Sequence, residues 1–197
     1  MARVIADISM SLDGYVAGPQ VSRGQALGED GLRLHDWLFA RRTPRDAEVR
    51  DALVRRVGAV VMGRRSYDLC EGEGGWGDAG PLGSTPCFVL THRVPGPEDV
   101  AAPSVFTFVT DGIHTAVEQA RAAAGERDVS LHGPSVIRQA LAAGLVDEIG
   151  VHLAPVLLGG GVRLFEGPAG GLVELERTAL VGTPAATHLR FRVLRAR

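Results

Sequence analysis

The sequence predicts a three-layer α/β fold on a mixed, mostly parallel sheet whose C-terminal strands run antiparallel. Three observations carry this. Apolar, β-rich runs alternate with helix-patterned segments through the middle of the chain, the signature of βαβ units. Two of those runs end in a glycine directly before a helix, at Gly63 and Gly133. The last third holds strand-like segments with no helix between them, which suits antiparallel strands at the edge of a parallel sheet.

The elements follow in order. Residues 4–10, VIADISM, read as a first strand, and SLDGYVAG supplies turn chemistry after it. Residues 19–45 have no clean period; LRLHDWLF within them suits a short amphipathic helix or a flap. From Asp46 to Arg56, Ala47, Val49, Leu53 and Val54 recur at helical spacing, and a strand at 58–62 follows. Strands are expected in PCFVLT and SVFTFVT, then a helix through Ala124 with Asp111 as N-cap. DVSLH is the next strand, and GPSVIRQALAAGL reads as a helix with Pro134 near N1 and Gly144 at C′. EIGVHLAPVLL, LVELERTALV and THLRFRVLR complete roughly eight strands. In the last of them Leu189, Phe191 and Val193 alternate with His188, Arg190 and Arg192.

Composition narrows the function. A chain of 197 residues with 45% apolar and 22% charged residues is expected to form one domain over 1–197 with a substantial core. The net charge of −2 gives no global attraction to nucleic acid or an acidic membrane, so neither is an expected partner and any anion site must be local. Cys70 and Cys87 are far apart with no CxxC spacing, and there is no HExxH, so no metal site is expected. Without a signal-peptide pattern or a membrane-length apolar run, the expected location is the cytoplasm.

The chemistry concentrates at the two glycine turns. In VVMGRRSYD a strand meets a helix start, where free N–H groups and the helix dipole favour an anion. Gly63 lets a ligand approach the backbone, Arg64 or Arg65 can fork onto phosphate oxygens, and Ser66 adds a hydroxyl; two arginines solvating a helix face is the plainer alternative. LHGPSVI repeats the order, offering the N–H groups of Gly133, Ser135 and Val136 to a pyrophosphate, with His132 beside them as a ligand contact or a polar strand end. Two such turns in one sheet favour a dinucleotide. Gly72, Gly74 and Gly77 match GxGxxG by coincidence, since no strand leads into them. For acid–base work the candidates are Asp13 in SLDG, which also fits a turn device, and Asp36, followed by Trp37 as an aromatic wall for a planar substrate.

SLDG, VVMGRRSYD, FVLTHR, LHGPSVIRQAL, GLVDEI and PVLLGGGVRLFEG together resemble the dihydrofolate reductase superfamily, and within it the reductase domain of bacterial riboflavin biosynthesis and its stand-alone relatives. The resemblance spans nearly the whole chain. It implies NADPH as cofactor: Gly63, Arg64 and Arg65 at the 2′-phosphate, Thr91, His92 and Arg93 flanking the adenine, and Gly133, Ser135 and Val136 at the pyrophosphate. Ala6 and the loop from Gly14 to Ala17 would line the nicotinamide. The family usually has two adjacent glycines where this chain has His132 and Gly133. A homodimer is also implied.

The expectation is an NADPH-dependent reductase of a small heterocyclic or sugar-linked substrate, resembling 5-amino-6-(5-phosphoribosylamino)uracil reductase. Asp13 or Asp36 would orient the substrate or relay a proton, and Trp37 would pack on its ring. The rival expectation is an NADP(H)-binding module or regulator without turnover; a third is a phosphate-ester binder using the Arg64 site alone.

Overall fold

The chain enters its sheet through β1 (Val4–Ser11), turns through the short β2 (Tyr15–Ala17), and makes a 3-10 turn at Gly31–His35 before α1 (Pro44–Arg56). Then come β3 (Val57–Gly63), α2 (Arg64–Cys70), β4 (Cys87–Leu90), β5 (Phe106–Val109), α3 (Gly112–Ala124), β6 (Asp128–His132) and α4 (Pro134–Ala142). The strands β7 (Glu148–Ala154), β8 (Val162–Arg163), β9 (Glu174–Gly182) and β10 (Thr187–Leu194) finish the fold. This is a computed structural model, and it describes residues 2–70, 80–96, 105–166 and 171–194. The glycines of the GxGxxG match lie outside the described residues.

Eight strands form one sheet in the order β5-β4-β3-β6-β1-β7-β10-β9, while β2 and β8 pair separately. From β5 to β7 every pairing is parallel; β10 pairs antiparallel with β7 and with β9. The expected α/β fold with antiparallel C-terminal strands is the one observed.

Local signals set the helix ends. Thr43 caps α1 through a reciprocal capping box with Asp46, and Pro44 takes the first turn, where its missing N–H costs nothing. Gly144 follows α4 at φ +66°, the left-handed position expected of it. Asp111 precedes α3 but makes no side-chain cap bond, which corrects its expected role.

The sheet separates two apolar layers. Val4 and Ala6 of β1, Val61 of β3 and Leu131 of β6 pack with Val117 and Ala120 of α3 and Ile137 of α4. On the other face Ile5, Val60 and Met62 pack with Tyr67 of α2 and Leu53 of α1. On β10 only His188 of the polar series is covered; Arg190 is half-buried and Arg192 exposed. His188 is buried at 5% exposure beneath α1, while Phe191 and Val193 are only partly buried. The alternation was legible, and Asp46 of α1 accounts for its one buried polar residue, pairing with His188 Nε2 at 2.9 Å.

Candidate functional site

The parallel strands end in a crevice built by two interlocked turns. Met62 of β3 lies opposite His132 of β6, so the glycines that follow, Gly63 and Gly133, leave the sheet side by side. A Cβ on Gly63 would stand 3.1 Å from Ser135 Oγ, and one on Gly133 would stand 2.5 Å from Ser66 Oγ. Each glycine thus makes room for the serine at the start of the other's helix. Gly133 also holds φ +95°, which an L side chain rarely adopts. No side chain caps α4, so the N–H groups of Ser135 and Val136, which have no acceptor within the helix, point to the crevice end.

Positive charge gathers beside these turns. Arg64 donates from Nε to Asp68 Oδ1 at 2.6 Å and from its terminal nitrogen to the Arg93 carbonyl at 3.4 Å, tying α2 to the turn after β4. That turn is shaped by Thr91, whose hydroxyl donates to the Arg93 carbonyl at 2.9 Å and accepts from the Arg93 N–H at 3.3 Å. Arg65, His92 and Arg93 are exposed. Arg65 enters none of the ion pairs among the described residues. The structure therefore brings together Gly63, Arg64, Arg65, Ser66, Thr91, His92, Arg93, His132, Gly133, Ser135 and Val136 at the carboxyl ends of three adjacent strands, where open α/β sheets bind ligands.

The other expected site residues stand elsewhere. Ala6 is fully buried in the layer shared with α3 and α4, so its side chain lines no crevice. The stretch of β1 beyond Ala6 is the part that passes the end of β6: β1 pairs with β6 only from Val4 to Ala6, but with β7 as far as Ser11. Asp13 clamps a loop. Its carboxylate accepts from the N–H of Leu158 at 3.1 Å and of Gly159 at 2.7 Å, and bonds from the Ser11 hydroxyl and those amides pull its pKa down to about 2. Asp36 accepts from Arg33 Nε at 3.0 Å at the end of the 3-10 turn. Trp37 is no substrate wall: it is 2% exposed and donates from Nε1 to Ser9 Oγ at 2.9 Å. Its ring packs tilted against His152 and edge-on against His188, with centroids 4.2 and 4.9 Å away.

Those two histidines belong to a titratable cluster that the sequence reading missed. His152 Nε2 meets Asp7 Oδ1 at 2.7 Å, the Nδ1 atoms of His152 and His188 meet at 2.7 Å, and His188 Nε2 meets Asp46 Oδ1 at 2.9 Å. Burial pushes the Asp7 carboxyl up, but the charge and bond of His152, with Arg190 and Arg56, outweigh it and leave the pKa lowered. Asp46 falls to about 2, because bonds from Thr43, His188 and Thr183 overcome the same penalty. Burial lowers the His188 pKa, against the pull of Asp46. Nearby, burial and the neighbouring His132 and His152 bring His35 down to about 4, and its Nδ1 has no hydrogen-bond partner. A histidine inside the apolar run GVHLAP was the available signal, since a buried polar group must find a partner.

The chain matches the family of the RibD C-terminal domain over residues 2–183. Among curated proteins it is 25% identical over 177 residues to the uncharacterized protein YyaP of Bacillus subtilis (strain 168), covering 83% of this chain and 80% of that one. A putative riboflavin biosynthesis protein from Shewanella sp. PV-4 is similar at a TM-score of 0.72 and 25% identity, covering 99% of this chain and 100% of that one. Dihydrofolate reductase from Enterococcus faecalis, solved with NADP(H), shares the fold at a TM-score of 0.56 and 14% identity, over 97% and 96% of the two chains.

Proposed function

Because the chain belongs to the family of the RibD C-terminal domain, we propose that it is a reductase that uses NADPH to reduce a small heterocyclic or sugar-linked substrate, in the manner of a 5-amino-6-(5-phosphoribosylamino)uracil reductase. The observation that carries the cofactor assignment is the pair of interlocked turns. A Cβ on Gly133 would close the approach that a pyrophosphate needs, and this is the cradle such a group fits.

In this reading the N–H groups of Ser135 and Val136 bind the pyrophosphate. Arg64 is already oriented by Asp68, and Arg65 and Arg93 are exposed beside it, so a 2′-phosphate would meet up to three guanidinium groups. That charge favours NADPH over NADH. When bound, the reduced nicotinamide supplies a hydride. The residues of β1 after Ala6 border the open end of the crevice, where they would exclude water from the acceptor. Exposed Leu175 and Leu180 on the outer strand β9 support a homodimer formed through the C-terminal strands.

The test is a titration of the purified chain with NADPH and with NADH, followed by NADPH oxidation against imine and carbonyl acceptors. Preference for NADPH together with acceptor-dependent oxidation supports the reading. Tight NADPH binding with no oxidation by any acceptor turns it into a binding module, and equal affinity for the two nucleotides removes the role of the arginines.

A further inference from the structure

Three short contacts in a row, Asp7 to His152, His152 to His188 and His188 to Asp46, each require one proton between the facing atoms. Both carboxyls lie below their usual range and are anions at neutral pH. Each Nε2 must then donate, and the two Nδ1 atoms at 2.7 Å must share a third proton. Two imidazoles therefore carry three protons, one more than two neutral rings. Burial holds His188 toward the neutral form, and the extra proton belongs to the pair joined through the two Nδ1 atoms.

We propose that Asp7, His152, His188 and Asp46 form a proton wire that stores the proton consumed when a C=N or C=O group is reduced. This rests on the reductase reading above. The surroundings suit such a store. From β7 and β10, Glu148 and Arg190 pair with each other at 3.2 Å, and Arg56 of α1 also binds Glu148, at 2.7 Å. These charges compensate one another. His35 of the 3-10 turn is neutral at physiological pH, as is His132 of β6, whose pKa burial lowers. A cavity of about 380 Å³ between α1 and the strands β7, β9 and β10 is lined by Asp7, His152 and His188, with Arg45, Glu48 and Arg55 of α1 also on its wall. The wire is thus buried along its length but open to exchange on one side.

Its other side leads to the crevice. The last β1–β6 pair is Ala6 and Leu131, and Asp7 and His132 are the residues that follow it on the two strands, one residue before Gly133. The step balances as follows. Bound NADPH would supply a hydride to the acceptor carbon; the π pair would move to nitrogen or oxygen, and Asp7 would pass that atom a proton. His152 gives its Nε2 proton to the Asp7 carboxylate, which passes it on and returns to the anion; the shared proton stays on His152 Nδ1, and two neutral rings remain. A proton from water in the cavity then refills the wire.

The test pairs nitrogen NMR of the imidazoles with kinetics on the full chain and on His188→Asn, which keeps an amide facing His152 but breaks the link to Asp46. The wild type should show one doubly protonated ring near pH 7, with or without NADPH. In His188→Asn, NADPH affinity should hold while acceptor-dependent turnover falls about tenfold or more, with a larger solvent deuterium isotope effect. Two neutral rings in the wild type would overturn the stored proton. A charged ring with turnover and isotope effect unchanged in His188→Asn would overturn its use. A charged ring in a wild type that oxidises NADPH with no acceptor would instead defeat the reductase reading, and with it the supply role.

Discussion

Ser66 and Gly133 occupy each other's space: the Ser66 hydroxyl oxygen stands 2.5 Å from where a Gly133 Cβ would be, although the two residues open different turns. Gly133→Ala forces an alanine to φ +95° and displaces that hydroxyl. The expected cost is about 1–2 kcal/mol of stability from the backbone alone, with NADPH affinity reduced at least tenfold because the approach is closed. Urea unfolding and cofactor titration measure the two separately. Ser66→Gly in the same chain should relieve the collision but not the backbone strain, so a full recovery would show that strain was not the cause.

Arg65 is the cleaner probe of cofactor choice, since Arg64 is already engaged with Asp68. Arg65→Ala is expected to leave stability within about 0.5 kcal/mol. NADPH binding should weaken by about 1.5–3 kcal/mol, the worth of a charge-assisted bond, with NADH binding little changed. Equal losses for both nucleotides would remove the 2′-phosphate assignment.

Trp37 is expected to act on stability. Trp37→Phe keeps most of the ring but removes the donor to buried Ser9, which should cost about 1–3 kcal/mol, and Trp37→Ala should cost about 3–5 kcal/mol. Urea melts of both variants decide this. A substrate KM that rose in Trp37→Phe with stability unchanged would return Trp37 to the role of substrate wall.

Asp13 should prove dispensable for chemistry. Asp13→Ala is expected to keep NADPH oxidation within a few-fold, while amide exchange at Leu158 and Gly159 accelerates, because their acceptor is gone. Loss of turnover with exchange unchanged would restore its acid–base role.

His35 gives the chain a pH dependence of definite sign. Its folded pKa, about 4, lies below the ordinary 6.5, so the unfolded chain takes up a proton first as pH falls. The stability linked to this group is fully present above pH 6.5 and is lost between pH 6.5 and 4, by up to about 3 kcal/mol. His35→Gln should flatten the stability profile across that window. A variant that kept the wild-type slope would place the titration elsewhere.

How much of this was legible depends on range along the chain. The turns at Gly63 and Gly133 were readable because strand, glycine and helix are consecutive, and the parallel sheet that sets them side by side follows from the βαβ order. Pro134 and Gly144 mark the ends of α4 for equally local reasons. Trp37 was misread because residues 19–45 carry no period, and only the tertiary fold shows that Trp37 lies over Ser9. The cluster of Asp7, Asp46, His152 and His188 was invisible for a stronger reason. Its members come from β1, α1, β7 and β10, and nothing in the neighbourhood of any one of them names the other three. β2 and β8, two short strands that pair with each other, were missed for lack of length.

The same histidine pair also bears on how the chain finds its fold. An antiparallel pair of strands with alternating residues could slide by two positions and still present the same face to its neighbour. In the native pairing His188 lies opposite His152 and Arg190 opposite Gly150, where the missing side chain leaves room for Asp7. Sliding β10 two residues along β7 would set either Arg190 or Ala186 against His152. Each misalignment leaves a buried imidazole and a buried carboxylate without their partners, a penalty of several kcal/mol that no apolar contact returns. The histidine pair beneath α1 is therefore an alignment mark, rejecting the near-native pairings that the apolar residues of β10 would tolerate.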